Sequence, residues 1–217
     1  MCALPQLGLA ASAKQTVDVG KSRVYIFVGK TGLGHEHAVE GKFRSGSITI
    51  GAEKQAGEFV FDMASFRADT QAARRYLGLE GTTSQSTQRQ VNANMLGAKV
   101  LDVSRYPTAR FQIDTAKLLN RSSRSGHPLV DLSGRLTLHG KTHRIHFLAE
   151  LVRKNKELHV RGGFRILQSD YGIKPFSKAF GAIGVADELR IYGDVVLTDA
   201  VAAARSARQT TNQGRRQ

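Results

Sequence analysis

Alternation of apolar and polar residues is the dominant pattern along this chain. The segments concerned are rich in β-branched and aromatic residues, and glycine, serine, asparagine or aspartate separates them. This combination is typical of half-buried β-strands. The predicted strands are residues 23–28, 37–43, 47–50, 59–64, 109–115, 129–138, 143–152, 158–166 and 189–197. Their even spacing predicts an all-β sandwich or barrel and disfavours a βαβ fold.

The long segment 66–104 lacks this alternation. Ser86 can cap a helix there, Val91 and Met95 would share one face of that helix, and Gly97 would end it. We therefore predict a helical excursion near residues 66–104 that lies across one end of the β-structure.

The formal net charge of +14 over 217 residues points to an acidic partner, such as nucleic acid, anionic lipid headgroups or a phosphorylated ligand. Four arginines lie within residues 205–217, which contain no acidic residue. Since residues 199–217 show no core-forming pattern, we predict that residues 200–217 are a basic disordered tail. The remaining charge is scattered and is typical of a solvated surface.

The first residues are small and apolar, and Ala11-Ser12-Ala13 has the form of a signal-peptidase site, but a preceding basic region is missing. We predict that residues 1–15 are the remnant of a signal peptide, which implies export, with a disordered leader as the alternative. Cys2 is the single cysteine, so a disulfide within the chain and a zinc site built on paired cysteines are both excluded.

Two histidines in the segment GHEH at 34–37 are the sharpest candidates for chemistry. In an extended strand His35 and His37 lie on one face, where they can share a metal ion, and segment 141–146 could add a third histidine. The alternative is that both histidines make hydrogen bonds at a rim. We predict no catalytic residue, metal or cofactor, because a nucleophile elbow and a phosphate-binding loop are absent from the sequence. A metal-dependent enzyme that uses this histidine pair stays open as an alternative.

Nucleic-acid binding is the other alternative that the charge leaves open. A basic barrel of that kind uses exposed aromatic residues among arginines and lysines. Here the aromatic residues lie within alternating segments, where they would face inward, and the chain has no tryptophan. We therefore rank a nucleic-acid-binding barrel below the other interpretations and predict no specific nucleic-acid partner.

Four sequence blocks, in a fixed order, carry a resemblance to a known family. They are VEGKF and SGSI within 39–48, YPTARF at 106–111, LSGRLTLHGKT at 132–142, and QSDYGIKP with GVADELRI within 168–191. They match the patterns V-x-G-x-F…S-G-x-I, Y-P-x-x-x-F, G-x-L-T-I-H-G-V-T and R-S-D-F-G-I…V-x-D-E-V-x-I of the YceI-like, polyisoprenoid-binding family, which the chain resembles over about residues 17–198. The family's opening H-S-x-V-x-F is KSRVYI here, so its histidine is absent.

The resemblance implies one extended, antiparallel, lipocalin-like β-barrel of about eight strands over residues 16–199, with an isoprenoid chain inside. Members are typically exported to the periplasm, and no catalytic reaction is established for the family as a whole. We therefore expect a non-enzymatic protein that binds and sequesters or carries an isoprenoid-type lipid, polyprenyl or quinone-like. The basic charge predicts peripheral contact with an anionic membrane. The oligomeric state stays open, with a dimer as one alternative.

Alternation also predicts which side chains line the interior, provided that they leave an apolar channel unfilled. The predicted cavity residues are Phe27, Phe59, Phe61, Phe111, Ile113, Leu136, Phe147, Phe164, Tyr171, Phe176 and Phe180. The predicted rim residues, which would bind a polar headgroup through hydrogen bonds, are His35, His37, Lys174 and Lys178. Three of the aromatic residues, Tyr171, Phe176 and Phe180, lie in a glycine-rich loop that would act as a flap.

Overall fold

The computed structural model describes residues 13–155 and 157–199. Its strands are β1 (Gln15–Val17), β2 (Arg23–Gly32), β3 (His37–Ile48), β4 (Gly57–Ala68), β5 (Thr108–Ser122), β6 (Pro128–Leu138), β7 (Lys141–Lys154), β8 (Glu157–Leu167), β9 (Ser177–Lys178) and β10 (Ile183–Asp199). Two α-helices, α1 (Gln71–Leu77) and α2 (Gln85–Leu96), lie between β4 and β5, and short 3-10 turns span Ser169–Tyr171 and Ala179–Gly181. The predicted leader up to residue 12 and the predicted tail from residue 200 lie outside the described residues.

Eight long strands close into one antiparallel barrel. Neighbouring strands are hydrogen-bonded in the order β10, β2, β3, β4, β5, β6, β7, β8, and β8 pairs again with β10. The short strand β1 pairs with β10 and β3, and β9 pairs with β10. This architecture confirms the predicted all-β barrel of about eight strands. Each long strand can therefore turn alternate side chains inward while its other face meets solvent.

The helical excursion consists of two short helices, in agreement with the prediction for this segment. The hydroxyl of Thr70 caps α1, which ends at Gly78 in the left-handed conformation. The cap of α2 is Ser84 and not the predicted Ser86, because Ser84 has the extended backbone of a cap and its Oγ accepts a hydrogen bond from the N–H of Thr87. Within residues 13–155 and 157–199, no helix is long and apolar enough to cross a membrane.

The barrel interior is solid at one end. The side chains of Ile48, Ile113, Ala116 and Val130 are almost fully buried and belong to one continuous apolar core. Burial of a side chain as large as isoleucine or leucine contributes about 1.5–3 kcal/mol, so this end provides much of the stability of the fold. Toward the other end, where α2 lies, the inward side chains no longer meet.

Candidate functional site

An apolar cavity of about 180 Å³ occupies the end of the barrel beside α2. Side chains from seven of the eight barrel strands line it, together with α2 and the segments that follow α2 and β8. Only three of the lining residues have polar side chains, namely His37, Asn94 and Gln168. The amide of Gln168 is itself tied to the wall, since Nε2 donates to the carbonyl oxygen of Ala186 at 2.8 Å. The site is thus suited to a ligand that is mostly hydrocarbon.

A second, smaller space of about 50 Å³ lies next to the cavity, toward the solid end. The residues that border both spaces are Val24, Phe61, Leu136, Phe164 and Ile191. Two of the five are phenylalanines, and the ring centroid of Phe164 lies 4.9 Å from that of Phe147, which borders the smaller space. Side chains of aromatic and aliphatic residues therefore decide whether the two spaces connect.

Helix α2 covers the cavity as a weakly anchored lid. Val91 and Met95, one turn apart, line the cavity, but no residue of α2 is fully buried. Two side chains of α2 bind the backbone of Ala68, the last residue of β4: the Oδ1 of Asn92 accepts from its N–H at 2.8 Å, and the Nε2 of Gln88 donates to its carbonyl oxygen at 2.9 Å. Segments with so few buried contacts open at a low free-energy cost.

A charged cluster lies at the edge of the cavity. The carboxylate of Asp69 is only 1% exposed and accepts hydrogen bonds from His37 Nδ1 at 2.7 Å, Arg74 Nη1 at 3.1 Å and the N–H of Ala38 at 3.1 Å. Burial raises the pKa of Asp69, but the hydrogen bonds from His37 and Ala38 and the charge of Arg74 outweigh burial, so the pKa lies below its usual value. Asp69 is therefore ionised at neutral pH and fixes His37 in place.

His37 is also the point where the apolar cavity meets a polar pocket of about 550 Å³. The polar pocket lies between the start of β3 and the loop that joins the two helices. Its lining includes the acidic residues Glu36 and Glu80 in addition to Asp69. The guanidinium of Arg74 is already bound to Asp69 and to the carbonyl oxygens of Glu80 and Gly81, so it is not free to bind an anionic ligand.

Most of the predicted cavity residues border one of the two apolar spaces. They are Phe59, Phe61, Phe111, Leu136, Phe147, Phe164 and Phe176. The structure corrects the placement of the others. Phe27 is on the outer face of β2, because Val24, Ile26 and Val28 take the inward positions, and its ring lies 5.2 Å from the guanidinium of Arg190. Ile113 faces inward but belongs to the solid end, where no space is left.

The loop that was predicted to act as a flap is divided between interior and surface. Phe176 lines the cavity, whereas Phe180 is fully exposed and lines neither apolar space. Among the predicted rim residues, His37 lies at the cavity edge, and His35, Lys174 and Lys178 are exposed. The ammonium group of Lys178 lies 5.5 Å from the ring centroid of Phe176, so this lysine is close to the mouth.

Tyr171 is buried in the barrel wall, not in the cavity. The ladder between β7 and β8 stops at the pair Ala149–Gly162, so the remaining halves of these strands are not paired with each other. The turn that holds Tyr171 contacts both strands there, with the Tyr171 ring 4.9 Å from that of His143. Among the described residues its hydroxyl has no hydrogen-bond partner, and burial raises its pKa to about 12.

Tyr171→Phe is therefore expected to stabilise the fold by about 1 kcal/mol, because it removes a buried hydroxyl that has lost its hydrogen bonds to water. The family pattern also has phenylalanine at this position. Urea unfolding would measure the change, with Tyr192→Phe on the outer, half-exposed face as the control, where we expect a change within about 0.5 kcal/mol. A loss of stability in Tyr171→Phe would mean that the hydroxyl has a partner.

Besides further inward-facing strand residues such as Ile26, Met63 and Ile191, two sources supply lining residues that were not predicted. One is the helical excursion, which supplies Val91, Met95, Val100 and Leu101. The apolar face of the predicted helix was a usable signal, since such a face must cover something apolar. The other source is the small polar set, and nothing in the local pattern marks Gln168 as inward-facing.

The histidines do not assemble into a metal centre. The Nδ1 of His37 is bound to Asp69, while His143 contacts the carbonyl oxygen of Asp170 and His146 contacts Asp131. Within the described part of the chain, no group of three or more His, Cys, Asp or Glu side chains could hold a metal ion. The geometry gives no support to the metal-dependent alternative.

Comparison with known proteins identifies the family. A family model described as the YceI-like domain matches residues 15–197, and the chain therefore belongs to this family. The barrel is similar to BcnA from Burkholderia cenocepacia, with a TM-score of 0.52 and 18% identity over 84% of this chain and 99% of that chain. It is also similar to a polyisoprenoid binding domain from Saccharophagus degradans implicated in plant cell wall breakdown, with a TM-score of 0.54 and 14% identity over 87% of this chain and 99% of that chain. At these identities the likeness shows the fold alone. A comparison with curated proteins gives no match.

Proposed function

We propose that this YceI-like domain binds one isoprenoid lipid inside the barrel and sequesters or carries it without chemical change. The observation that carries the proposal is the apolar cavity itself, whose lining has only three polar side chains. Each five-carbon unit of a tail contributes roughly 4 kcal/mol of gross transfer free energy when it leaves water. A hydrocarbon tail can therefore be retained without a charged anchor. The similar fold of a polyisoprenoid binding domain supports this choice of ligand.

For a headgroup held inside the cavity, the lining favours a neutral, quinone-like group over a phosphate. Among the described residues, no lysine or arginine lines the cavity, so a phosphate drawn inside would lack a cation. The adjoining polar pocket contributes carboxylates, and its one guanidinium is already engaged. A carbonyl oxygen needs only a hydrogen-bond donor, which the side chains of His37, Asn94 or Gln168 can supply.

The volume of the cavity limits how much of the tail fits without rearrangement. In other proteins an apolar cavity of about 150 Å³ stays dry and holds one benzene molecule. The 180 Å³ found here suits about one five-carbon unit by the same measure. A longer tail has to move the rings of Phe61 and Phe164 and occupy the second space as well. We propose that these two rings separate when a long tail enters.

Mass spectrometry of organic extracts tests the proposal directly. The full chain is purified, extracted with chloroform and methanol, and compared with total lipid from the same cells. We expect neutral isoprenoid lipids to be enriched over bulk phospholipid by at least tenfold, near one molecule per barrel. An extract with the composition of the cell's bulk lipid would contradict lipid selectivity, and enrichment of polyprenyl phosphates would contradict the neutral headgroup. We also propose, from the sequence, that the protein is exported to the periplasm. The lipid test does not depend on this location.

A further inference from the structure

Three exposed apolar side chains form a tip beside the cavity mouth. Leu33, in the turn between β2 and β3, is 80% exposed, Phe180 is fully exposed, and Ile183 is 41% exposed. The backbones around Leu33 and Ile183 are joined, since the N–H of Leu33 donates to the carbonyl oxygen of Ala182 at 2.9 Å and Ile183 pairs with the end of β2, and Phe180 lies in the 3-10 turn just before Ala182. We call these three residues the apolar tip. Exposure of these apolar side chains to water is unfavourable, and grouped apolar side chains on a surface mark sites of interaction.

The backbone is also strained at Phe180 of the apolar tip and at the residue before it. Ala179 and Phe180 have φ angles of 49° and 54°, in the left-handed region that residues with a Cβ rarely adopt. Phe180 is unfavourable here for two reasons: its backbone is strained, and its ring is fully exposed to water. Backbone strain of this kind clusters at functional sites such as active sites, ligand clamps and switch regions.

Three lysines lie near the apolar tip, across the sheet or along the chain. Lys178 pairs with Ile183, Lys30 pairs with Val185, and Lys174 precedes the cavity-lining Phe176 by two positions. All three lysines are exposed, and none has a carboxylate within 4 Å among the residues that the structure describes. Unpaired cations around exposed apolar side chains match a surface that is anionic outside and apolar beneath.

We infer that the apolar tip and its lysines are a docking surface for an anionic lipid bilayer. The lysines bind the headgroup region, and the side chains of Leu33, Phe180 and Ile183 enter the boundary with the acyl chains. Val28, Phe176 and Val185 line the cavity within a few residues of the tip, so docking brings the mouth against the bilayer. The docking surface acts without any bound cargo, so a failed docking test leaves the proposed lipid binding intact.

Tryptophan fluorescence tests the insertion of Phe180. The chain has no tryptophan, so Phe180→Trp gives a single reporter in the full-length protein. Leu118 is 46% exposed and lies near the end of β5 that is remote from the cavity, so Leu118→Trp provides the matched reporter. With vesicles of phosphatidylcholine and phosphatidylglycerol, we expect a blue shift of Phe180→Trp emission and none for Leu118→Trp. A shift in the Leu118→Trp protein alone, in both proteins alike, or in neither, overturns the inference.

Vesicle sedimentation tests the three lysines against a control of equal charge. Each lysine beside an anionic surface contributes roughly a fivefold gain in partitioning. The variant Lys30→Gln, Lys174→Gln, Lys178→Gln should therefore bind on the order of a hundredfold more weakly. The control Lys117→Gln, Arg121→Gln, Arg124→Gln removes three exposed cations from the opposite end and should lose less than about threefold. Equal losses in the two variants would show attraction by overall charge and overturn the docking surface.

Discussion

Asp69→Ala is expected to destabilise the protein by about 3–5 kcal/mol. The substitution leaves Arg74 and His37 without their shared buried carboxylate and also frees the N–H of Ala38. Loss of one member of a buried, hydrogen-bonded ion pair is costly because the remaining charge stays in a poorly solvated site. Urea unfolding followed by circular dichroism measures the loss as a lower midpoint at an unchanged slope.

Asp102→Ala is the matched control for this prediction. Asp69 and Asp102 both have left-handed backbones, with φ angles of 56° and 42°, so alanine causes comparable backbone strain at either position. The carboxylate of Asp102, however, accepts a hydrogen bond only from Ser104 among the described side chains. We expect Asp102→Ala to cost about 1 kcal/mol. Equal losses in both variants would show that backbone strain, and not the charged cluster, explains the effect.

The stabilisation from Asp69 should also depend on pH in a defined direction. Its pKa in the folded protein lies below the usual value of 3.8, so folding favours the ionised form. That contribution is fully present above the unfolded-state pKa and is lost as the pH falls through the folded-state pKa. The difference in unfolding free energy between the natural protein and Asp69→Ala should therefore be largest near neutral pH and shrink below about pH 4. A difference that grows on acidification would contradict the assignment.

Ala109→Phe is expected to lower the affinity for a long-tailed isoprenoid lipid by at least a hundredfold. Ala109 is buried and lines the cavity, and a phenyl ring there takes up space equivalent to about one five-carbon unit. Exclusion of one unit forfeits about 4 kcal/mol of gross transfer free energy, of which 2.7 kcal/mol already corresponds to a hundredfold. Displacement of a fluorescent prenyl probe from the purified protein would measure the affinity.

Gln112→Phe provides the control, because Gln112 lies on the same strand but is exposed on the outer face. We expect this variant to bind the probe with unchanged affinity. Both variants should keep a cooperative thermal transition, which shows that the fold is intact. If Ala109→Phe binds the probe as tightly as the natural sequence, the lipid is not held in this cavity.

The strand pattern predicted a sandwich or a barrel, because antiparallel sheets of both kinds bury one side chain at every second position, and the family resemblance narrowed this choice to a barrel. The same pattern could not show which part of the barrel interior is hollow and which part is filled with side chains. Ile113 and Leu136 both lie in clean alternation and both face inward, yet only Leu136 borders open space. Whether inward side chains meet depends on their combined volume across the barrel, which no single strand encodes.

Two further errors have local causes. Phe27 lies in a run of apolar residues on both faces of β2, where alternation gives no inward or outward direction, and its ring lies on the outer face near Arg190. Phe180 lies in a short loop without any periodicity, so its exposure follows from the path of the backbone. The charged cluster could not be foreseen either, since Asp69 and His37 are 32 residues apart and meet only through the pairing of β3 with β4.

The interrupted ladder between β7 and β8 affects how far the circumference of the barrel can change. At the hollow end, the turn that holds Tyr171 contacts both of these strands, and no backbone hydrogen bonds of the ladder join them there. Side-chain contacts of this kind are individually weak, so contacts with a guest molecule can replace them. We expect the circumference at that end to adjust to thicker or thinner cargo while the opposite end keeps its dimensions.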